Sequence, residues 1–161
     1  MTVGCLLLVA FLAATGCCSF SSRWNELAAA PPAPTAGDVS LWEGTWLSDH
    51  NGHNGKLRCI VSKIEPAEAI AAKPVPSGAP IPTHRFEFSA TWGLGFVSDY
   101  TIDMVVTPEG DKLHFKGSFP IVVWPLIDDT YHTEGTIEGD QSKAKYHAEI
   151  DEGTFEMTRV K

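Results

Sequence analysis

The sequence predicts an all-β domain, an antiparallel up-and-down meander closed into a roughly eight-stranded barrel. Three observations predict it. Past residue 40, apolar and polar residues alternate with period two in about eight separate runs, the mark of half-buried strands. Short turns rich in Gly, Asp and Pro separate most of the runs, as hairpins require. A series of hairpins sharing one apolar face must close on itself or stack on a second sheet to hide its edges, and closure is the expectation.

The first two strands are expected at 42–47 and 56–64. The clearest run follows at His84–Trp92, where Phe86, Phe88, Ala90 and Trp92 alternate with Arg85, Glu87, Ser89 and Thr91. Tyr100, Ile102, Met104 and Val106 then alternate with Thr101, Asp103 and Val105. Leu113 and Phe115 mark the fifth strand, and Tyr131, Thr133, Gly135 and Ile137 the sixth. Tyr146, Ala148 and Ile150 mark the seventh, and Phe155 and Met157 close the series. A four-residue turn at 108–111 pairs Val106 with Leu113 and Met104 with Phe115. The Gly139-Asp140 dipeptide suits a Gly-first hairpin turn and pairs Ile137 with Ser142, His132 with His147 and Tyr131 with Ala148. A loop at 151–154 pairs Ile150 with Phe155. Two stretches interrupt the spacing. Residues 66–82 are rich in Ala and Pro and read as an irregular loop. Residues 119–127, the most hydrophobic stretch past the N-terminal segment, carry Pro120 and Pro125, which argue against a central strand. They read as a bent strand or plug over one barrel end, or as an exposed lip for lipid, ligand or partner.

The N-terminus sets where the domain works. The apolar run from Leu6 to Ala14 is too short to span a bilayer as a helix, which takes about 20 residues, but suits a signal peptide. Ala14-Thr15-Gly16-Cys17 resembles the bacterial lipobox. The resemblance implies a signal peptide over 1–16, cleavage before Cys17 and a diacylglyceryl thioether on its sulfur, with Cys18 open to palmitate. The product is a cell-envelope lipoprotein, lipid-anchored and facing the periplasm or exterior. An ordinary cleaved signal, giving a secreted soluble domain, is the alternative. Residues 17–40 then form an Ala/Pro-rich tether: 24–30 allows one or two helical turns, and Pro31-Pro32-Ala33-Pro34 is a stiff spacer. Residues 41–161 are the barrel. Cys59 is in phase with Leu57 and Val61 and reads as a small buried hydrophobe, with a Cys18–Cys59 disulfide as the competing reading.

A net charge of −8 excludes nucleic acid as partner, because that binding rests on Lys and Arg neutralising phosphates. The membrane is therefore held through lipid rather than a basic patch, and two or more acyl chains anchor stably where one does not.

Gly44-Thr45-Trp46 is similar to the G-x-W signature of lipocalins, which implies a Trp closing one barrel end and an apolar ligand inside. Taken with residues 52–58 and 151–159, it resembles the opening and closing motifs of uncharacterised exported proteins of planctomycete bacteria. That likeness covers most of 41–160 and implies no activity.

Candidate ligand-binding residues are the large inward set Phe86, Phe88, Trp92, Tyr100, Met104, Phe115, Tyr131 and Tyr146, with Trp124 from the hydrophobic stretch. In an eight-stranded barrel these either fill the lumen or line a pocket. Candidate metal ligands form two groups. His50 and His53 with Asp49 are chemically suited to zinc or copper, though Gly52 and Asn54-Gly55 account for the same segment as turn chemistry with positive φ. His132 and His147 sit opposite each other in the expected register, with His114 or Glu149 as third ligand, though such outward positions are also simply polar. No nucleophile elbow, Walker loop, H-E-x-x-H or C-x-x-C pair is present, and no cofactor is expected. The sequence thus points to a non-catalytic binding barrel for a small apolar ligand or an envelope protein. The competing readings are a structural envelope protein with a filled core and a His-based metal-binding protein or enzyme.

Overall fold

The computed structural model describes residues 19–31, 39–68, 78–123 and 127–161. Eight strands, β1 (Val39–Ser48), β2 (Asn54–Lys63), β3 (His84–Trp92), β4 (Phe96–Glu109), β5 (Lys112–Val123), β6 (Ile127–Glu138), β7 (Gln141–His147) and β8 (Glu152–Arg159), follow one helix, α1 (Phe20–Ala29). The strands form one closed antiparallel barrel in chain order, β1 pairing with both β2 and β8. The signal over 1–16, Cys17, Cys18, the prolines at 32 and 34, most of the Ala/Pro loop and Trp124 lie outside the described residues.

Period-two alternation does what it must: one side chain in two from each strand enters a single interior. Phe86, Met104, Phe115 and Tyr146 come from four strands and share one buried cluster with Trp42, Leu57, Cys59 and Ile102. Cys59 is buried and free, as the in-phase reading requires, and burial pushes its thiol up, with Glu87 adding to the shift. Two glycines in the wall are required for clearance. A Cβ at Gly135 would meet the Phe115 ring at 2.6 Å and Ala144 at 2.7 Å, and one at Gly117 would meet Met104 at 2.8 Å.

The registers confirm one hairpin and correct two. Across Gly139-Asp140, Ile137 faces Ser142 and His132 faces His147 as expected, with Gly139 at φ +58°. Between β4 and β5 the turn is tighter than expected, Gly110-Asp111 alone, so Val106 faces Phe115 and Pro108 faces Leu113. A shift of two keeps every face, so the core is unaffected. Between β7 and β8, Phe155 faces Ala144 rather than Ile150. Ile150 lies in the connection, where the Asp129 carboxylate accepts its backbone N–H at 3.2 Å. The β1–β2 turn occupies 49–53, with Gly52 at φ +74°, and Asn54-Gly55 opens β2 instead of forming the turn. Gly55 is needed for clearance: a Cβ there would collide with the Thr91 carbonyl and sit 2.8 Å from the Trp46 indole nitrogen.

Helix α1 begins earlier than the turns expected at 24–30. Ser19 caps it, its hydroxyl accepting from the Ser22 N–H at 3.3 Å. Phe20 and Trp24 stack at 5.8 Å and are buried with Leu41 and Ile60, the apolar outward-facing residues of β1 and β2. Arg58 lies 5.0 Å over the Trp24 ring, and Arg23 is 2.8 Å from Glu87 on β3. At the other end the Lys161 ammonium donates to the carbonyls of Leu27, Ala28 and Ala30, where a helix exposes unpaired acceptors. The helix therefore packs on the barrel wall, which the reading of 17–40 as tether did not foresee. Among the described residues, no helix is long and apolar enough to cross a membrane.

Two seams are incomplete at one end of the barrel. β3 pairs with β4 from His84–Met104 to Trp92–Phe96, and β5 pairs with β6 along the whole of β5. The β4–β5 ladder stops at Val105–Lys116. Above that level β4 and β5 share no ladder pairs, and the β6–β7 ladder likewise stops at His132–His147, so the top of the β5–β6 hairpin is paired only within itself. Pro120, which cannot donate a ladder hydrogen bond, lies on this stretch of β5, where proline is tolerated as on an edge strand. Over its first half the hydrophobic stretch is strand rather than plug: Phe119 to Val123 continue β5 and pair with β6.

Candidate functional site

The interior is not uniform along the barrel axis. At the level of the open seam, β3 to β8 each contribute one aromatic ring, and the six rings touch in a closed circuit. Centroids lie 5.1 Å apart for Phe88–Tyr100, 5.1 Å for Tyr100–Phe119, 5.5 Å for Phe119–Tyr131, 5.7 Å for Tyr131–Tyr146, 5.0 Å for Tyr146–Phe155 and 5.7 Å for Phe155–Phe88. The Tyr100–Phe119 stack bridges the seam that the backbone leaves unpaired. These spacings lie in the favourable range for offset or tilted aromatic pairs.

Above this collar is a recess of about 320 Å³, walled by Tyr100, Phe119, Tyr131, Tyr146, Phe155 and Trp46, with Ala90, Ser98, Asp99, Thr133 and Asp151 completing it. Its volume is at the small end of the range for small-molecule sites. It lies at the end of the barrel that carries the 49–53, 93–95 and 148–151 turns. Trp46 is fixed by its indole N–H, which donates to the Thr91 carbonyl at 2.9 Å. The Trp of the Gly44-Thr45-Trp46 motif is not the one buried at a barrel end. Trp46 stands beside the mouth, whereas Trp42, buried at the opposite end, lies under the Arg159 guanidinium at 4.8 Å.

The polar groups of the mouth are carboxylates and phenols. Asp151 accepts from the Ser48 hydroxyl and, at 3.2 Å, from the Tyr146 hydroxyl, which ties the 148–151 connection to β1 and β7. Asp129 holds the same connection through the Ile150 N–H. Burial pushes the Tyr131 phenol up to about 12, with the Asp151 and Asp129 charges adding to the shift. Burial also raises Tyr146, helped by Asp151, and raises Tyr100. All three phenols are neutral donors at physiological pH.

Of the residues the sequence proposed for ligand binding, Phe88, Tyr100, Tyr131 and Tyr146 are in the collar. Phe86, Met104 and Phe115 lie in the sealed interior below it, at most 2% exposed. Trp92 is corrected: it is in phase with Phe86 and Phe88, but the strand has passed the rim there, and the ring is 43% exposed and stacked on Phe96 at 5.0 Å. Trp124 lies outside the described residues. Sequence reasoning missed Trp46, Phe119 and Phe155 as wall residues. Phase alone places Phe155 in the interior without marking it as part of a site, and Pro120 obscures Phe119, which is in phase with Phe115.

The histidines do not assemble. Among the described residues, no three His, Cys, Asp or Glu side chains converge on a point that could hold a metal ion. His132 and His147 face each other on the outer surface as expected. His147 instead contacts Glu152 at 3.2 Å, and His114, paired with Glu109 at 2.7 Å, is four residues along β5 from the partner of His132, about 13 Å away at the strand rise. His50 and His53 are exposed in the β1–β2 turn, whose Asn51 side chain and Ser48 hydroxyl accept turn N–H groups. No family model, curated protein or solved structure matches this chain, so the functional reading rests on the geometry of the collar and mouth.

Proposed function

We propose that the chain is a cell-envelope lipoprotein, tied to a membrane through Cys17, whose barrel binds a small apolar ligand at the aromatic mouth without transforming it. The observation that carries this reading is the pairing of a sealed lower interior with an aromatic-walled recess of about 320 Å³ at one end. A filled structural barrel has no need of a mouth where four large side chains, Trp46, Tyr100, Phe119 and Tyr131, are only partly covered. The apolar walls supply affinity. The neutral phenols of Tyr131 and Tyr146 supply a few directional contacts, the usual composition of a small-molecule site. The lipocalin-like character suggested by Gly44-Thr45-Trp46 belongs to the same proposal. The filled-core reading is favoured for the lower half alone, where Phe86, Ile102, Met104 and Phe115 leave no room.

Native mass spectrometry of the protein recovered from its own host, with titration of a neutral apolar fluorophore, tests the reading. A bound small molecule or saturable one-to-one fluorophore binding, weakened by Phe119→Ala, is the expected result. Non-saturable binding with no added mass overturns it. The mass of the peptide that begins at residue 17 tests the anchor separately.

A further inference from the structure

The tip of the β3–β4 hairpin is the most exposed apolar feature among the described residues. Leu94 is 100% exposed, Phe96 61% and Val97 59%, and Trp92 stacks on Phe96 beside them. Residues 92–98 carry no charge, on a protein whose net charge is −8. We propose that this tip is a second membrane contact, dipping Trp92, Leu94, Phe96 and Val97 into the interface of the bilayer that holds Cys17, so that the barrel mouth faces lipid. The proposal rests on the reading of Cys17 as the lipidated residue and adds the orientation of the barrel to it.

Three features argue for lipid as the occupant. The first is polar satisfaction, which an acyl environment demands. The tip closes on itself: Trp92 pairs with Phe96, the Gly95 N–H donates to the Trp92 carbonyl at 3.3 Å, and the Trp92 indole N–H donates to the Ser98 hydroxyl at 3.2 Å. Gly93 and Gly95, at φ +56° and +101°, make this tight turn possible. An exposed Trp with its polar edge satisfied, beside Leu, Phe and Val, is the composition that settles at a bilayer interface.

The second is where the chain before Ser19 departs. Because α1 is docked by Phe20 and Trp24, only Cys18 and Ser19 separate Cys17 from the barrel wall, a reach of about 10 Å at most. The first turn of α1 lies over β3, where Arg23 meets Glu87, and β3 runs from there to the tip in five residues, about 17 Å. Anchor and tip therefore belong to the same side of the barrel, and the Pro-rich segment after α1 joins helix to β1 instead of spacing the barrel from the lipid.

The third is the seam. The tip stands at the end of the barrel where the recess lies, beside the unpaired stretch between β4 and β5. A membrane-facing tip presents that opening to acyl chains.

The full chain in phosphatidylcholine vesicles brominated on the acyl chains tests this, with Trp124→Phe as background and the Trp92 share read as the difference in quenching with and without Trp92→Phe. Bromolipid is expected to quench tryptophan emission, Trp92→Phe to remove part of that quenching, and Leu94→Asp/Phe96→Asp to abolish the Trp92 share with the melting temperature unchanged. Equal quenching with and without Trp92, or none, overturns the tip contact. The mass of the residue-17 peptide separates the two claims. Lipid on Cys17 with Trp92 unquenched leaves the anchor and sinks the tip; unmodified Cys17 with Trp92 quenched does the reverse; failure of both readouts sinks both.

Discussion

The two halves of the barrel are built from the same strands with the same alternation, yet one is shut and the other open. Below the collar, Trp42, Phe86, Ile102, Met104 and Phe115 are at most 2% exposed, and Arg159 lies over Trp42 at the end. Above it, Tyr100, Phe119, Tyr131 and Trp46 are only partly covered and wall a recess. Composition does not separate the halves, since both are rich in aromatics. Closure does: below Val105–Lys116 every strand has two partners, while above it β4 and β5 share no ladder pairs and the Tyr100–Phe119 stack links them instead. Side chains below are held from all sides and serve stability, whereas those above are held from three sides and keep one face for a ligand.

The largest effect should come from the shut half. Phe86 contacts Phe88 and Phe115 at ring-centroid distances of 6.2 Å and 5.1 Å and is 1% exposed. Phe86→Ala should cost about 3–5 kcal/mol in denaturant unfolding, the range for a buried aromatic truncated to leave a cavity. Phe119→Ala, in the open half, should cost about 1–2 kcal/mol, since only part of the ring leaves water on folding. It should nevertheless weaken fluorophore binding about tenfold, a loss of about 1.4 kcal/mol. Equal destabilisation by the two variants would mean that the mouth is as filled as the core, and the contrast would collapse.

Asp151→Ala should follow in size. The carboxylate accepts from Ser48, which is 1% exposed, and from Tyr146. Removing it strands a buried hydroxyl and frees the 148–151 connection, at a cost of about 1–3 kcal/mol. Asp151→Asn keeps an acceptor oxygen and should recover part of the loss. A null result for Asp151→Ala in thermal unfolding would show that the rim is not fastened at this point.

Alternation made the closed half legible, because a period of two is all that the interior of a small barrel requires. His84–Trp92 has the bounds expected of it, and Phe86, Met104, Phe115 and Tyr146 converge. The mouth was legible only in part. Phe88, Tyr100, Tyr131 and Tyr146 follow from phase alone, but phase does not say where a strand crosses the rim, so Trp92 was assigned inward. Nor does it show which ladder stops early. Pro120 carried that signal, yet an edge within a closed barrel arises from the pairing of two hairpins, which no local window contains. Helix α1 was underestimated for a related reason. Phe20, Trp24 and Leu27 have helical spacing, but their partners Leu41 and Ile60 are outward residues of strands, and an outward apolar residue announces no particular cover.

A pH titration sharpens the same contrast, because the three tyrosines of the chain are all collar residues and phenolate absorbance reads the mouth alone. The ordinary phenol value is 10.0, and Tyr131 is pushed up to about 12. A raised phenol value means that the folded state keeps a proton the unfolded state has released. The associated stability is therefore complete below pH 10 and is lost as pH climbs through the folded value. Phenolate absorbance should appear above the ordinary range and rise together with unfolding. Ordinary titration with the fold intact would place the phenols in water and remove the collar.

The smallest effect expected is at Ser142, in the shut half, and its sign is informative. Its side chain is 2% exposed and faces Met157 and Ile137 across the ladders, and its hydroxyl has no hydrogen-bond partner among the described residues. Burying an unpaired hydroxyl costs free energy that a methyl group does not. Ser142→Ala should therefore leave stability within about 0.5 kcal/mol of the wild type or raise it. Ser48, equally buried at the mouth, makes the opposite case. Its hydroxyl donates to Asp151 and accepts the Asn51 N–H at 3.2 Å, so Ser48→Ala should lower the melting temperature. If Ser142→Ala proves the more damaging, the lower interior depends on a polar contact there and its sealing is not purely apolar.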